Sequence, residues 1–177
     1  MPRLYPQLLG AQYVLLAPVL REVHEHVTQL RGTVSVTRGK SLLVRALASL
    51  AGMPRACADA PCRVDFVQEA GMPPGAERWV REMVGRSFSS LLIPAGPDQF
   101  DESFGWYRFR FRIEINAGTV QFALQGMRVL GMPVPRVLLP RIVTRESGVD
   151  GAYVFAVQAH LPVLGLLVAY EGLLRPL

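Results

Sequence analysis

The sequence predicts an α+β fold: a curved antiparallel sheet of about eight or nine strands, a half-barrel or barrel, packed on two N-terminal helical segments. Three observations carry this. Apolar residues recur mostly at helical spacing up to Ala51, apart from one short strand, and at a spacing of two from Cys62 onward. Tyr107, Phe109, Phe111, Ile113 and Ile115 alternate without error against Arg108, Arg110, Arg112 and Glu114, giving one apolar face and one charged face. The segments of period two are joined by short glycine-bearing turns, which make hairpins and not crossovers.

In chain order, Leu8, Leu9, Tyr13, Leu16, Leu20, Val23, Val27 and Leu30 predict one or two short helices, with Pro18 breaking or kinking the pattern. Gly32 releases a strand, Thr33 to Arg38. Ser41 to Ala51 reads as a helix packed on its leucine stripe and ended by Gly52 and Pro54. Strands follow at Arg63 to Glu69, Glu77 to Val84 and Ser87 to Ile93, the last two joined tightly at Gly85-Arg86. After the Tyr107 to Ile115 strand, Asn116-Ala117-Gly118 turns the chain into a return strand carrying Val120, Phe122 and Leu124. Leu130 to Pro140 contains three prolines, which lack the amide donor, so it crosses an edge or caps an end. Arg141 to Glu146, Tyr153 to Leu161 and Leu166 to Gly172 complete the sheet.

With 177 residues, 50% of them hydrophobic and 19% charged, the chain lies outside the disordered range and is expected to form one domain over 1–177. The net charge of +5 is spread along the chain, so no nucleic-acid binder is indicated. Of 19 basic residues only Lys40 is lysine; a genome rich in G and C explains the arginine better than dedicated anion recognition does. The apolar run Leu161 to Tyr170 holds Pro162 and Gly165 and is far shorter than the roughly 20 residues a bilayer needs, so no transmembrane segment is expected. The apolar start of the chain lacks a small-x-small cleavage site before Arg21, and a cytoplasmic protein is expected. Cys57 and Cys62 have no second pair to complete a zinc site and read as reduced, structural thiols.

The chain resembles the bacterial domain-of-unknown-function family DUF4166, whose members are sometimes fused behind a saccharopine-dehydrogenase-like domain. The resemblance runs from Leu4-Tyr5 and Leu8-Leu9-Gly10 through Leu50-Ala51-Gly52, Glu77-Arg78-Trp79 and Gly85 with Phe88. Its most specific parts are Leu130-Gly131-Met132-Pro133-Val134-Pro135 with Leu139-Pro140, and Leu161 to Gly165 with Tyr170 and Gly172. It implies no activity and no catalytic residues.

Four groups invite a chemical reading. His24-Glu25-His26 would aim two imidazoles together on a strand, but side chains two apart on a helix diverge, so a solvated helix face is expected and no metal. Asp98, Asp101 and Glu102 offer paired carboxylates, yet Gly-Pro-Asp is turn chemistry and a loop is expected there. His160 stands without a nucleophile motif. In Glu77 to Val84, Trp79, Arg81 and Met83 share one face. If that face lines a cavity, Arg81 meets an acidic head group while the apolar neighbours hold a tail; otherwise Val80 and Val84 face the core.

The leading expectation is a non-catalytic module binding a lipid or other hydrophobic small ligand in the concave face of the sheet, with Trp79, Arg81 and Met83 as its site and no cofactor. Two alternatives stay open. One is a structural or interaction domain docking on a partner oxidoreductase or on itself; the other is an unidentified enzyme using Asp98, Asp101, Glu102 or His160.

Overall fold

In the computed structural model, which describes residues 3–177, two helices precede the sheet. They are α1 (Leu4–Leu9) and α2 (Pro18–Glu25), linked by a 3-10 turn over Gly10–Leu15. Pro18 starts α2 instead of kinking a longer helix, because the first helical position has no use for the missing N–H. Eleven strands follow: β1 (Gln29–Arg38), β2 (Cys57–Val67), β3 (Glu77–Met83), β4 (Arg86–Gly96), β5 (Gln99–Phe104), β6 (Tyr107–Asn116), β7 (Thr119–Val129), β8 (Met132–Pro133), β9 (Arg141–Val149), β10 (Ala152–Leu161) and β11 (Gly165–Pro176). A third helix, α3 (Leu42–Leu50), lies between β1 and β2.

Every pairing is antiparallel, β1 pairs with both β2 and β11, and β6 pairs with β7, so the sheet closes on itself. All strands except the two-residue β8 belong to the ring, which makes a ten-stranded barrel. The thinnest seam is between β7 and β9, registered at Val120↔Glu146 and Ala123↔Val143.

The expectation of eight or nine strands thus falls short by β5 and β8. β5 was expected as an acidic loop. Its one deeply buried side chain, Phe100, is surrounded by Gln99, Asp101, Glu102 and Ser103, and this polarity hides the period of two. The alternation in β6 holds, with Phe111 and Ile113 buried and its three arginines and Glu114 exposed. Val84-Gly85, Ala117-Gly118 and Asp150-Gly151 take positive φ at both residues, matching the twist of a two-residue hairpin. The tight turn expected at Gly85-Arg86 therefore lies one residue earlier. Residues 130–140 leave the ring, as their prolines require, through β8 and a 3-10 turn over Arg136–Leu138.

Helix α3 reverses the expected facing. Val44 and Ala48 are buried against Leu167, whereas Leu42, Leu43 and Leu50 point to solvent. Small side chains let the helix lie close over β11, and Ser41 caps it by accepting from the Val44 N–H at 3.2 Å.

The two ends of the barrel differ. One is closed by α1, α2 and the 3-10 turn, which bond to hairpin loops: Ala17 N–H donates to Gly118 O (2.9 Å) and Asp98 N–H to Leu8 O (3.2 Å). Leu4, Tyr5, Leu20 and Val23 fill that end together with Leu30, Phe100, Val120 and Leu174. At the opposite end lie α3 and the β3–β4, β5–β6, β7–β9 and β10–β11 connections.

Candidate functional site

Closure of the sheet decides which way each alternating strand faces. Trp79, Arg81 and Met83 of β3 point inward and line a cavity of about 160 Å³, while Val80 is only half buried. Phe66, Phe111, Phe122, Ile142 and Tyr170 form much of the apolar wall. Met53, Pro54, Phe88 and Phe104 border the cavity toward the end that carries α3. Arg38 fixes that border: its guanidinium donates to Pro54 O (2.7 Å), Ser49 Oγ (3.0 Å) and Met53 O.

Two arginines are among the lining residues, and of them Arg81 is partly buried while Arg145 is exposed. Arg81 donates to Ser90 Oγ at 2.8 Å and reaches Glu102 Oε1 at 3.5 Å, longer than the roughly 2.7–2.9 Å of a close charge-assisted bond. Its guanidinium carbon is 5.1 Å from the Trp79 ring centre and 5.9 Å from that of Phe88, so aromatic faces flank the charge.

At the plug side of the cavity, whose lining includes Glu146 and Tyr153, lies a buried polar network absent from the sequence expectations. Glu146 accepts from the Tyr5 hydroxyl at 2.8 Å and from His24 Nε2 at 3.1 Å. The His24 ring stacks on Tyr5 with centroids 3.7 Å apart. Burial, and then the charge of Glu146, raises the Tyr5 and Tyr153 hydroxyls well above the ordinary phenol value. Glu77 forms a second knot, accepting from Arg3 Nε (2.9 Å), the Leu4 N–H (2.9 Å) and Trp79 Nε1 (3.0 Å). These bonds tie α1 and α2 to the barrel wall. The sequence reading missed both carboxylates; the signal that could have found them is alternation, which puts Glu77 on the face of Trp79 and Arg81, and Glu146 on that of Ile142 and Thr144.

The remaining sequence candidates are dispersed. His24 is buried, contrary to the solvated face expected, while His26 on the diverging side is exposed. Asp98 occupies the β4–β5 turn, 3.7 Å from Arg112. Asp101 and Glu102 are adjacent on β5 and face opposite ways: Asp101 holds Arg110 from outside at 2.7 and 2.8 Å, and Glu102 faces Arg81. They share no site. His160 is outside the cavity lining. Cys57 and Cys62 are free thiols, and burial pushes that of Cys62 up to about 11. Among the described residues no three His, Cys, Asp or Glu side chains are grouped to hold a metal.

Fold and cavity together define a closed antiparallel β-barrel with an apolar interior, plugged by helices at one end. The chain belongs to the domain of unknown function family DUF4166, whose profile matches residues 16–174. It is also similar in fold to the crystal structure of Rv2717c from M. tuberculosis, with a TM-score of 0.51 and 13% identity over 92% of this chain and 99% of that one. At that identity the likeness concerns the fold alone. No curated protein matches the chain.

Proposed function

We propose that the barrel binds a small amphipathic molecule, its apolar body in the cavity and an anionic oxygen at Arg81, without chemical conversion. One observation carries this reading: a guanidinium held between Trp79 and Phe88 in an otherwise mostly apolar cavity. A cavity near 160 Å³ matches the engineered cavities of about 150 Å³ that accept one benzene ring. The apolar body is therefore about one aromatic ring or a short alkyl chain, and a longer chain extends past Phe88 and Phe104. A ligand carboxylate closing to about 2.8 Å on Arg81 replaces the longer Glu102 contact.

The test is displacement of a fluorescent lipid probe from delipidated protein by short carboxylic acids and by their methyl esters. Arg81→Ala weakens the acids by about 1–3 kcal/mol, the worth of a charge-assisted hydrogen bond, and leaves the esters nearly unaffected. Glu102→Gln tightens the acids by removing a like charge. Equal losses for acid and ester in Arg81→Ala assign the residue to packing, and failure of every amphiphile to displace or bind removes the reading.

A further inference from the structure

We propose that the end of the barrel carrying α3 docks on an anionic lipid bilayer, inserting exposed apolar side chains between head groups. The inference rests on this outer surface and not on the cavity.

The surface is built from strand connections at this end. The connections are residues 39–56, 84–85, 105–106, 130–140 and 162–164. Four of the five present large apolar side chains to solvent: Leu42 (82% exposed) and Leu50 (81%) on α3, Trp106 (71%) in the β5–β6 turn, Met132 and Val137 in the β7–β9 connection, and Val163 in the β10–β11 turn. Ten of the 16 exposed large apolar side chains among the described residues lie in these connections, against Val14, Leu15, Val149 and Leu177 at the plugged end; such a concentration, drawn from segments distant in sequence, marks an interaction site, whereas scattered exposed residues need no explanation. The facing of α3 belongs with it, since the helix spends Val44 and Ala48 on the barrel and turns its leucines outward.

Charge selects the partner. These five connections contain Lys40, Arg45, Arg55 and Arg136 and not one Asp or Glu. Arg38, Lys40, Arg45 and Arg55 line a shallow hollow beside α3, open to solvent and free of acidic side chains. Burial, and then the charges of Arg86, Arg55 and Arg45, lowers the Arg38 pKa. A second hollow on the flank of β6 and β7 holds Arg108, Arg110, Arg128 and Arg136, with Asp101 paired to Arg110. The opposite end carries Glu69, Asp98 and Asp150 in its connections, Glu69 and Asp98 lying 3.4 and 3.7 Å from Arg78 and Arg112. Basic side chains around an apolar, aromatic-bearing tip match the two layers of an anionic membrane surface: phosphates outside, acyl chains a few ångströms deeper. A second copy of this chain would bring the same positive charge to the interface, and like charges oppose that pairing.

The protein has two tryptophans, and they report separately: Trp106 is 71% exposed and Trp79 is 4% exposed. The whole chain is mixed at about 0.1 M salt, where the screening length is about 10 Å, with vesicles of phosphatidylcholine alone or with about one-third phosphatidylglycerol. Expected are a blue shift of the exposed tryptophan's emission, its quenching by brominated acyl chains, and sedimentation with the anionic vesicles only. Trp106→Phe removes the shift while sedimentation persists. Leu42→Ser with Leu50→Ser, and separately Arg45→Glu with Arg136→Glu, lower the partition coefficient about tenfold or more while the far-ultraviolet circular dichroism stays native. Anionic vesicles that leave emission and sedimentation unchanged overturn the proposal, as do the serine and glutamate variants if they bind like the parent. A dimer by light scattering that Leu42→Ser dissolves also overturns it. Probe displacement without vesicles reads the cavity alone, so either proposal fails without the other.

Discussion

Replacing Glu77 with alanine tests whether the buried carboxylate, and not apolar packing alone, holds the helical plug in place. Glu77 is almost wholly buried and accepts three hydrogen bonds of 2.9–3.0 Å, from Arg3, the Leu4 backbone and Trp79. Removing it leaves Leu4 N–H and Trp79 Nε1–H without this acceptor; Arg3 keeps a bond to Val27 O at 2.9 Å. Breaking a buried pair by removing one partner costs about 3–5 kcal/mol. For a chain of this size that lowers the melting temperature by roughly 6–20 °C, at about 2–4 °C per kcal/mol. Glu77→Gln keeps an acceptor but loses the charge and costs less, about 1–3 kcal/mol. Urea unfolding followed by tryptophan fluorescence and circular dichroism gives both values, and a double-mutant cycle with Arg3→Met isolates the pair. Hydrogen exchange over residues 4–9 accelerates first in the alanine variant. A loss below about 1 kcal/mol for Glu77→Ala, with unchanged exchange in α1, refutes the reasoning.

Phe111→Asp places a carboxylate on the buried face of β6, and the expected loss is several kcal/mol or complete unfolding; a native melting temperature shows the face assigned wrongly. Alkaline stability follows from burial, since the thiol of Cys62 rises from 9.0 to about 11 and the Tyr170 hydroxyl from 10.0 to about 12, with Tyr5 and Tyr153 also raised. Groups that hold their protons more tightly when folded stabilise fully below their unfolded pKa and lose that contribution as pH rises through the folded one. The urea midpoint therefore stays level with respect to these groups up to about pH 8.5, falls above it, and drops most steeply near pH 11–12; Cys62→Ala removes the earliest part of the fall, and a midpoint flat to pH 12 contradicts the account. Arg38→Met frees residues 52–54 at the cavity border, seen as faster proteolysis there with the barrel intact.

Strand identity was legible wherever the inner and outer faces differ strongly in polarity. β6 is the plain case, five apolar groups against four charged ones. It failed at β5, where inward Glu102 and outward Asp101 are both acidic and only Phe100 is deeply buried. The shared face of Trp79, Arg81 and Met83 was readable from alternation; that it looks inward was not, because closure depends on the summed twist and stagger of ten strands. Bonds such as Tyr5 to Glu146 and His24 to Glu146 join residues 141 and 122 apart in sequence, beyond the reach of local pattern. For α3, helical spacing was correct and facing was not, since leucine content predicts burial only where something covers it.

The pairing of β1 with β11, from Leu30↔Pro176 to Arg38↔Val168, joins the first and last strands of the sheet. Until it forms, both strands present unsatisfied backbone edges, ready templates for another chain. The encounter also closes a loop of nearly the whole polypeptide, which makes it a slow, high-contact-order step in folding. Loss of the last few residues would strip β1 of the partners Leu173 to Pro176 while leaving the cavity-lining Tyr170 in place. Such a chain would also lose the fully buried Leu174 from the plugged end, so the segment that protects the β1 edge also completes the core.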